Sequence, residues 1–267
     1  MIITFIGGGN MATALISGLK KSARPGLTIR VSDPSDDARS RLQAEYDVEP
    51  FTDAAAAVSG ADIIVLAIKP QVMTRVLEQL AGNIEPQQLV LSIAAGTTLR
   101  TITKKLGNDL AVIRSMPNTP ALIGLGISGI CPGENCEPHH VEQAELVLGA
   151  AGEVVLIDDE SLMDVVTAIS GSGPAYYFLL TEALAVAGRA LGLPGDVADK
   201  LAAHTSFGAG AMVVQSDAGA AELRRQVTSP GGTTQAALEA LRSGDFSQVV
   251  HSAVEAATSK GRELADD

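Results

Sequence analysis

The stretch Phe5-Ile6-Gly7-Gly8-Gly9-Asn10-Met11-Ala12 constrains this chain more than any other. It follows a short β-branched run, Ile2 to Ile6, and opens a helical pattern, Met11 to Lys21. The spacing is G-x-G-x-x-A, with Gly7, Gly9 and Ala12 in the three special places. Gly7 permits the tight turn out of the strand, Gly9 lets backbone approach a pyrophosphate, and Ala12 allows close packing of helix on strand. A strand that turns directly into a helix calls for a parallel neighbour, because parallel strands need a crossover of a dozen residues or more.

The rest of the first half repeats that rhythm. Strand candidates are Thr28 to Ser32, Ile63 to Ile68, Leu89 to Ala94 and Leu110 to Arg114. Helical patterns lie between them at Asp36 to Tyr46, Val72 to Ala81 and Thr98 to Lys105. Apolar strands separated by such helices predict a parallel sheet covered on both faces. Gly126 to Cys131 and Glu153 to Ile157 read as further strands, with a helix from His140 to Gly149 between them.

After about Ser161 strand signals disappear. Pro174 to Leu191, Asp196 to Ser216, Ala220 to Gln226, Gly232 to Leu241 and Phe246 to Leu264 all read as helices. Several are apolar around much of their circumference, as in Ala183 to Gly188 and Phe207 to Val214. A monomer of 267 residues would struggle to bury so much, so the helical part is expected to pair with another chain. The predicted fold is therefore α/β: a Rossmann dinucleotide-binding domain over 1–159, then an all-helical dimerisation and substrate domain over 160–267.

Charge narrows the partners. The formal net charge is −12, which argues against nucleic acid and denies any anionic ligand help from the global field. No run of 18 apolar residues suggests a membrane span, and the N-terminus lacks the features of a signal peptide, so a cytoplasmic enzyme is expected. Cys131 and Cys136 have no second pair at zinc spacing; with His139 and His140 nearby a metal site is conceivable, but two reduced thiols is the simpler reading.

Asp33 ends the second strand about twenty residues past Ala12, where an acid usually binds the adenine ribose 2′-hydroxyl and repels a 2′-phosphate. Its local reading leans towards NADH; if Asp33 instead caps the next helix and faces solvent, NADPH stays open. Two more strand ends feed the same crevice: Ala67-Ile68-Lys69-Pro70 and Ile93-Ala94-Ala95. Arg114 to Pro120 carries two prolines, which predict an extended wall above the cleft.

Late in the chain, Val227-Thr228-Ser229-Pro230-Gly231-Gly232-Thr233-Thr234 precedes a helical pattern. Ser229 suits an N-cap and Pro230 the first helical position. Two glycines then leave first-turn amides uncovered, which makes an anion seat rimmed with hydroxyls.

These motifs together resemble the pyrroline-5-carboxylate reductase family. The anchors are residues 5–11, Ala67 to Pro70, Met116-Pro117-Asn118-Thr119, Ser170-Gly171-Ser172-Gly173-Pro174-Ala175-Tyr176 and Val227 to Thr234. The resemblance implies reduction of L-1-pyrroline-5-carboxylate to L-proline with NADPH or NADH, and a homodimer that often assembles into a decamer. It places the substrate carboxylate on Gly231, Gly232 and Thr233 beside Ser229, with Thr234 at the ring nitrogen as the catalytic hydroxyl and Glu160 near the substrate amine. It assigns cofactor contacts to Ile6, Gly7, Gly8, Gly9, Asn10, Met11, Asp33, Ala67, Ile68, Lys69, Pro70, Ile93, Ala94 and Ala95. Glu160 also reads as a first-turn acid on a helix N-terminus. Asp33 stands where some relatives carry a serine that holds the 2′-phosphate, and Gln226 where relatives can carry an asparagine near the cofactor.

Two other classes compete. The β-hydroxyacid dehydrogenases share this architecture but rely on a lysine in the helix after a glycine-serine turn; no lysine occurs here from Ser170 until Lys200. A non-catalytic dinucleotide sensor would bind nucleotide without turnover.

Overall fold

The computed structural model describes residues 1–266. The chain forms two compact units. One runs from Met1 to Ser172 and includes the last turns of the C-terminal helix from Ala257; the other is Gly173–Ala256.

The first unit is built on eight strands: β1 (Ile2–Ile6), β2 (Thr28–Ser32), β3 (Glu49–Phe51), β4 (Ile63–Leu66), β5 (Leu89–Ser92), β6 (Ala111–Met116), β7 (Gly126–Pro132) and β8 (Gly152–Leu156). Their order is β3-β2-β1-β4-β5-β6-β7-β8. All neighbours are parallel except β6 and β7. The chain leaves β1 towards β2 and β3, then returns to place β4 on its other side. That reversal opens a crevice at the carboxyl ends of β1 and β4, the usual place for a dinucleotide.

Helices α1 (Asn10–Lys21), α2 (Asp36–Tyr46), α3 (Ala54–Val58), α4 (Pro70–Leu80), α5 (Leu99–Leu106) and α6 (Pro138–Gly149) fill the crossovers. Two apolar layers result. One sets Leu15, Ile16 and Leu19 of α1 against Ile3, Phe5 and Val65; the other sets Met73, Leu77 and Leu80 of α4 against Ile64, Leu66 and Val90. Alternate side chains of β1 and β4 go to opposite layers, as a doubly covered sheet demands.

Two details depart from the sequence reading. β3 and α3 exist, although a short Glu-Pro-Phe run and an alanine run carry little periodicity. The segment after Met116 is not extended throughout: a 3₁₀ turn takes Thr119–Ile123, with Pro120 in its first turn, where a missing N–H is harmless. The compact first unit includes the residues up to Ser172. The reason is packing: Val166 fills the space beside Gly129 of β7, and Met116 closes against Gly171.

Residues 163–171 pass through α7 (Met163–Val166) and a π-helical turn, Thr167–Gly171. The second unit holds α8 (Gly173–Ala190), α9 (Gly195–Gln215), α10 (Ala220–Gln226), α11 (Thr233–Ser243) and the first part of α12 (Phe246–Asp266). Small residues let α8 and α9 approach: a Cβ on Gly188 would lie 3.3 Å from that of Ala198. In this unit the buried apolar residues, among those described, are Ala185, Ala198 and Ala202, while Phe178, Leu179, Phe207 and Val214 are exposed.

Candidate functional site

The crevice begins at Gly7, whose φ is +104° and whose N–H donates to Ser32 O at 2.8 Å. A Cβ there would lie 2.3 Å from Ala67 O, so the loop after β1 rests directly on the loop after β4. Gly8 is enclosed as well: an added Cβ would meet Leu42 of α2 at 2.9 Å. Gly9 differs, because nothing lies within 4 Å of its missing side chain. It is also the N-cap of α1 and supplies no capping side chain, so the first-turn amides stay bare. Open space beside a twelve-residue helix start fits a diphosphate. Ile6 is buried beneath this loop, Met11 is half-buried, and Gly9 and Asn10 are exposed at its rim.

The neighbouring strand ends close the floor. Ala67 N donates to Ile6 O at 2.8 Å and Ile93 N to Leu66 O at 3.2 Å. Ala94 is buried, with its N–H on Ser92 Oγ at 3.4 Å, and Ala95 is half-buried beside it. Lys69 is extended at ψ 145°, as a residue before proline should be, and caps α4 with Pro70 at its start. That proline starts α4 two residues earlier than the periodicity suggests. The structure thus brings together Ile6 to Met11, Ala67 to Pro70 and Ile93 to Ala95 as one group.

Asp33 joins them at the end of β2. Its Oδ2 accepts Gly8 N–H at 2.7 Å and its Oδ1 accepts Ser35 N–H at 2.8 Å. It is not the cap of α2; Ser35 is, accepting from Ala38 N. Arg39 donates to Asp33 O and to Asp36. Arg41 reaches Gly8 O at 3.4 Å and Thr13 Oγ1 at 3.2 Å. Sequence reasoning gave neither arginine a role, since each lies one or two turns into α2.

Glu160 also lies in the first unit. One oxygen, Oε1, accepts Leu99 N–H at 2.7 Å, at the start of α5, and Arg114 Nη1 at 3.1 Å. Arg114 is only 4 % exposed and pairs with Asp164 as well, at 3.1 Å. This buried cation was missed: nothing in its local sequence names two acids about fifty residues away. Opposite Arg114 on the next strand, burial and then Glu160 push the Cys131 thiol up to about 11. Burial raises Cys136 likewise, so both are protonated, unreactive thiols at neutral pH.

The second unit carries the late glycine motif, and here the local structure corrects the reading. Gly231 has φ +69°, which no helical residue adopts, so the helix cannot start at Pro230. Ser229 to Gly232 form a turn instead, closed by Gly232 N on Ser229 O at 3.0 Å, with proline and glycine at its two corners. Ser229 therefore is not the cap; Gly232 is, and it offers no side chain. Two expected amides are already used: Gly232 N by that turn, and Gly231 N by Gln235 Oε1 at 2.8 Å. The uncovered first-turn amides belong to Thr233, Thr234 and Gln235. Gln226 bonds Glu222 at 3.2 Å.

Among the described residues no helix is long and apolar enough to cross a membrane, and no group of three His, Cys, Asp or Glu is placed to hold a metal.

Residues 160–264 match the family described as pyrroline-5-carboxylate reductase dimerisation. Residues 2–96 match NADP oxidoreductase, coenzyme F420-dependent. A pyrroline-5-carboxylate reductase of Pseudomonas aeruginosa is 43 % identical over 99 % of this chain and 97 % of its own. One from Synechocystis is 41 % identical over 97 % and 96 %. Among solved structures, a pyrroline-5-carboxylate reductase from Coxiella burnetii superposes with a TM-score of 0.93, at 36 % identity over 98 % of both chains. One from Plasmodium falciparum with NADP bound gives 0.86, at 29 % identity over 99 % of this chain and 98 % of that one. With relatives this similar along nearly its whole length, and a dimerisation-family match over residues 160–264, the chain belongs to the pyrroline-5-carboxylate reductase family.

Proposed function

We propose that this chain reduces L-1-pyrroline-5-carboxylate to L-proline with NAD(P)H, the last step of proline biosynthesis. The observation that carries the reading is the 43 % identity with a pyrroline-5-carboxylate reductase across 99 % of the chain. The glycine crevice supports it independently, because its open Gly9 and bare α1 amides fit a dinucleotide diphosphate.

In the proposed reaction Ile6, Gly7, Gly8, Gly9, Asn10, Met11, Asp33, Ala67, Ile68, Lys69, Pro70, Ile93, Ala94 and Ala95 hold the dinucleotide. When bound, it supplies a hydride from the reduced pyridine ring. The chain's own task is geometry, and positioning of two reactants can lower a barrier by several kcal/mol, about 7 in favourable cases. The substrate carboxylate takes the amides at the start of α11, through Thr233 and through Gly231 once Gln235 yields; Gly232 and Ser229 shape the turn beneath it. Thr234 hydrogen-bonds the ring nitrogen, which gains a proton through water as the adjacent carbon gains the hydride. Glu160 uses one carboxylate oxygen for Arg114 and Leu99, and the family resemblance assigns this residue to the substrate amine.

The same proposal gives residues 1–159 to nucleotide binding and 160–267 to dimerisation and substrate, in the cytoplasm. The exposed apolar helices of the second unit support the dimer; further assembly of five dimers into a decamer follows the family resemblance and is checked by light scattering. The activity test is direct. Purified full-length protein, either reduced cofactor and pyrroline-5-carboxylate should give substrate-dependent loss of reduced-nicotinamide absorbance, with proline as product. No oxidation with either cofactor refutes the reading.

A further inference from the structure

We propose that Asp33 orders the glycine loop and, in the same act, makes this protein select NADH over NADPH. The inference rests on the crevice being a dinucleotide site, but its main test needs no reductase activity.

The carboxylate is held at two points. Gly8 N–H donates to Oδ2 at 2.7 Å and Ser35 N–H to Oδ1 at 2.8 Å. Gly8 is itself buried against Leu42 and Val31, so the loop and the acid are fixed together. An exposed acid on a free rotamer turns away from an incoming anion; this one cannot without giving up both backbone bonds. Each oxygen still keeps a lone pair, because a carboxylate accepts about four hydrogen bonds. A ribose 2′-hydroxyl can donate to it. A 2′-phosphate has no proton to offer at neutral pH and brings like charge to the same place.

The nearby cations do not reverse this. Arg39 is tied to Asp33 O and to the Asp36 carboxylate. Arg41 is drawn to Gly8 O and Thr13 Oγ1, on the rim of the loop that both dinucleotides share, with Glu45 at 3.7 Å. The first turn of α2 carries the acids Asp36 and Asp37, and Arg39 at its end is the arginine already engaged. Against two engaged arginines stand four acids, so the local field disfavours an added phosphate.

The test is a pair of binding titrations without substrate, following fluorescence of NADH and of NADPH on the full-length protein. NADH should bind at least about tenfold more tightly, about 1.4 kcal/mol. In Asp33→Asn, which keeps one oxygen acceptor and drops the charge, the ratio should shift towards NADPH by about tenfold. Asp33→Ser should shift it further and weaken NADH, since a serine cannot reach both amides. The wild-type discrimination should also shrink as salt is added, because it is electrostatic. Thermal unfolding of each variant shows that it is folded. A purely structural Asp33 would weaken both dinucleotides alike and leave their ratio unmoved. That outcome, or wild-type protein binding NADPH as tightly as NADH, overturns the proposal. Failure of the reductase reading looks different: nucleotide binds, yet neither cofactor is consumed with pyrroline-5-carboxylate.

Discussion

Gly7 and Gly9 lie two residues apart and treat the space beside their backbone in opposite ways. At Gly7 an added methyl would meet Ala67 O at 2.3 Å, on backbone already at positive φ. Gly7→Ala should therefore cost stability, by about 2 kcal/mol, as well as nucleotide binding; urea unfolding reads the first and fluorescence titration the second. Gly9→Ala meets nothing in the protein, and its φ of −73° suits alanine. It should unfold like the parent while binding NADH about tenfold or more weakly, because only the ligand needs that space. Equal binding by parent and Gly9→Ala would remove the diphosphate from this loop. On the second unit, Thr234→Ala should lower kcat by about tenfold or more and leave the NADH dissociation constant within about twofold, since the residue is assigned to the ring nitrogen. An unchanged kcat would take Thr234 out of the mechanism. The glycines were readable in advance because their motif spans a few consecutive residues. The pairing of Arg114 with Glu160 and Asp164 was not, since it joins positions 46 and 50 residues apart.

At the level of elements, chain punctuation did most of the work and sometimes misled. Ser229-Pro230 has the look of a cap followed by a first helical residue, yet the positive φ of Gly231 turns the pair into a corner and defers α11 to Thr233. Local rules favour both outcomes; the structure takes the turn, and with it moves the bare amides two residues onward. The start of α6 offers a cleaner test. His140 Nδ1 accepts Glu137 N–H at 3.0 Å, closing the first turn. Burial and the neighbouring His139 lower the His140 pKa from 6.5. The folded state therefore prefers neutral imidazole. This contribution is fully present above pH 6.5 and is lost as pH falls through the lower folded value. Urea midpoints should therefore fall between pH 7.5 and 5, with part of the fall coming from this site. His140→Gln keeps an acceptor at the same position without titrating, so that part of the slope should vanish. A variant with the parent's full pH dependence would assign the slope elsewhere. Cys131 makes the opposite case: its thiol, raised to about 11, favours the neutral form, so its contribution is fully present below pH 9 and is lost as pH rises from 9 through 11.

For the whole molecule, the second unit poses the larger physical problem. Three alanines are its buried apolar residues, while Phe178, Leu179, Phe207 and Val214 meet solvent in the isolated chain. Apolar surface on that scale marks an association face, and the family match over 160–264 is to a dimerisation region. Phe207→Glu places a charge on α9 within it and should raise the dimer dissociation constant about a hundredfold or more, read by sedimentation at several concentrations. A variant that sediments as the parent at every concentration would move the interface away from α9. Most of this architecture was visible beforehand, since alternating strands and helices, the glycine fingerprint and the all-helical second half are each written in a few neighbouring residues. Periodicity and turn chemistry act over one or two turns of chain, and so they can be read from it directly. What the tertiary structure alone decided were the partners: that Asp33 grips Gly8, and that Arg114 answers Glu160 and Asp164. Those bonds depend on which strand lies beside which and on where each turn aims its groups, and no local pattern of side chains encodes either.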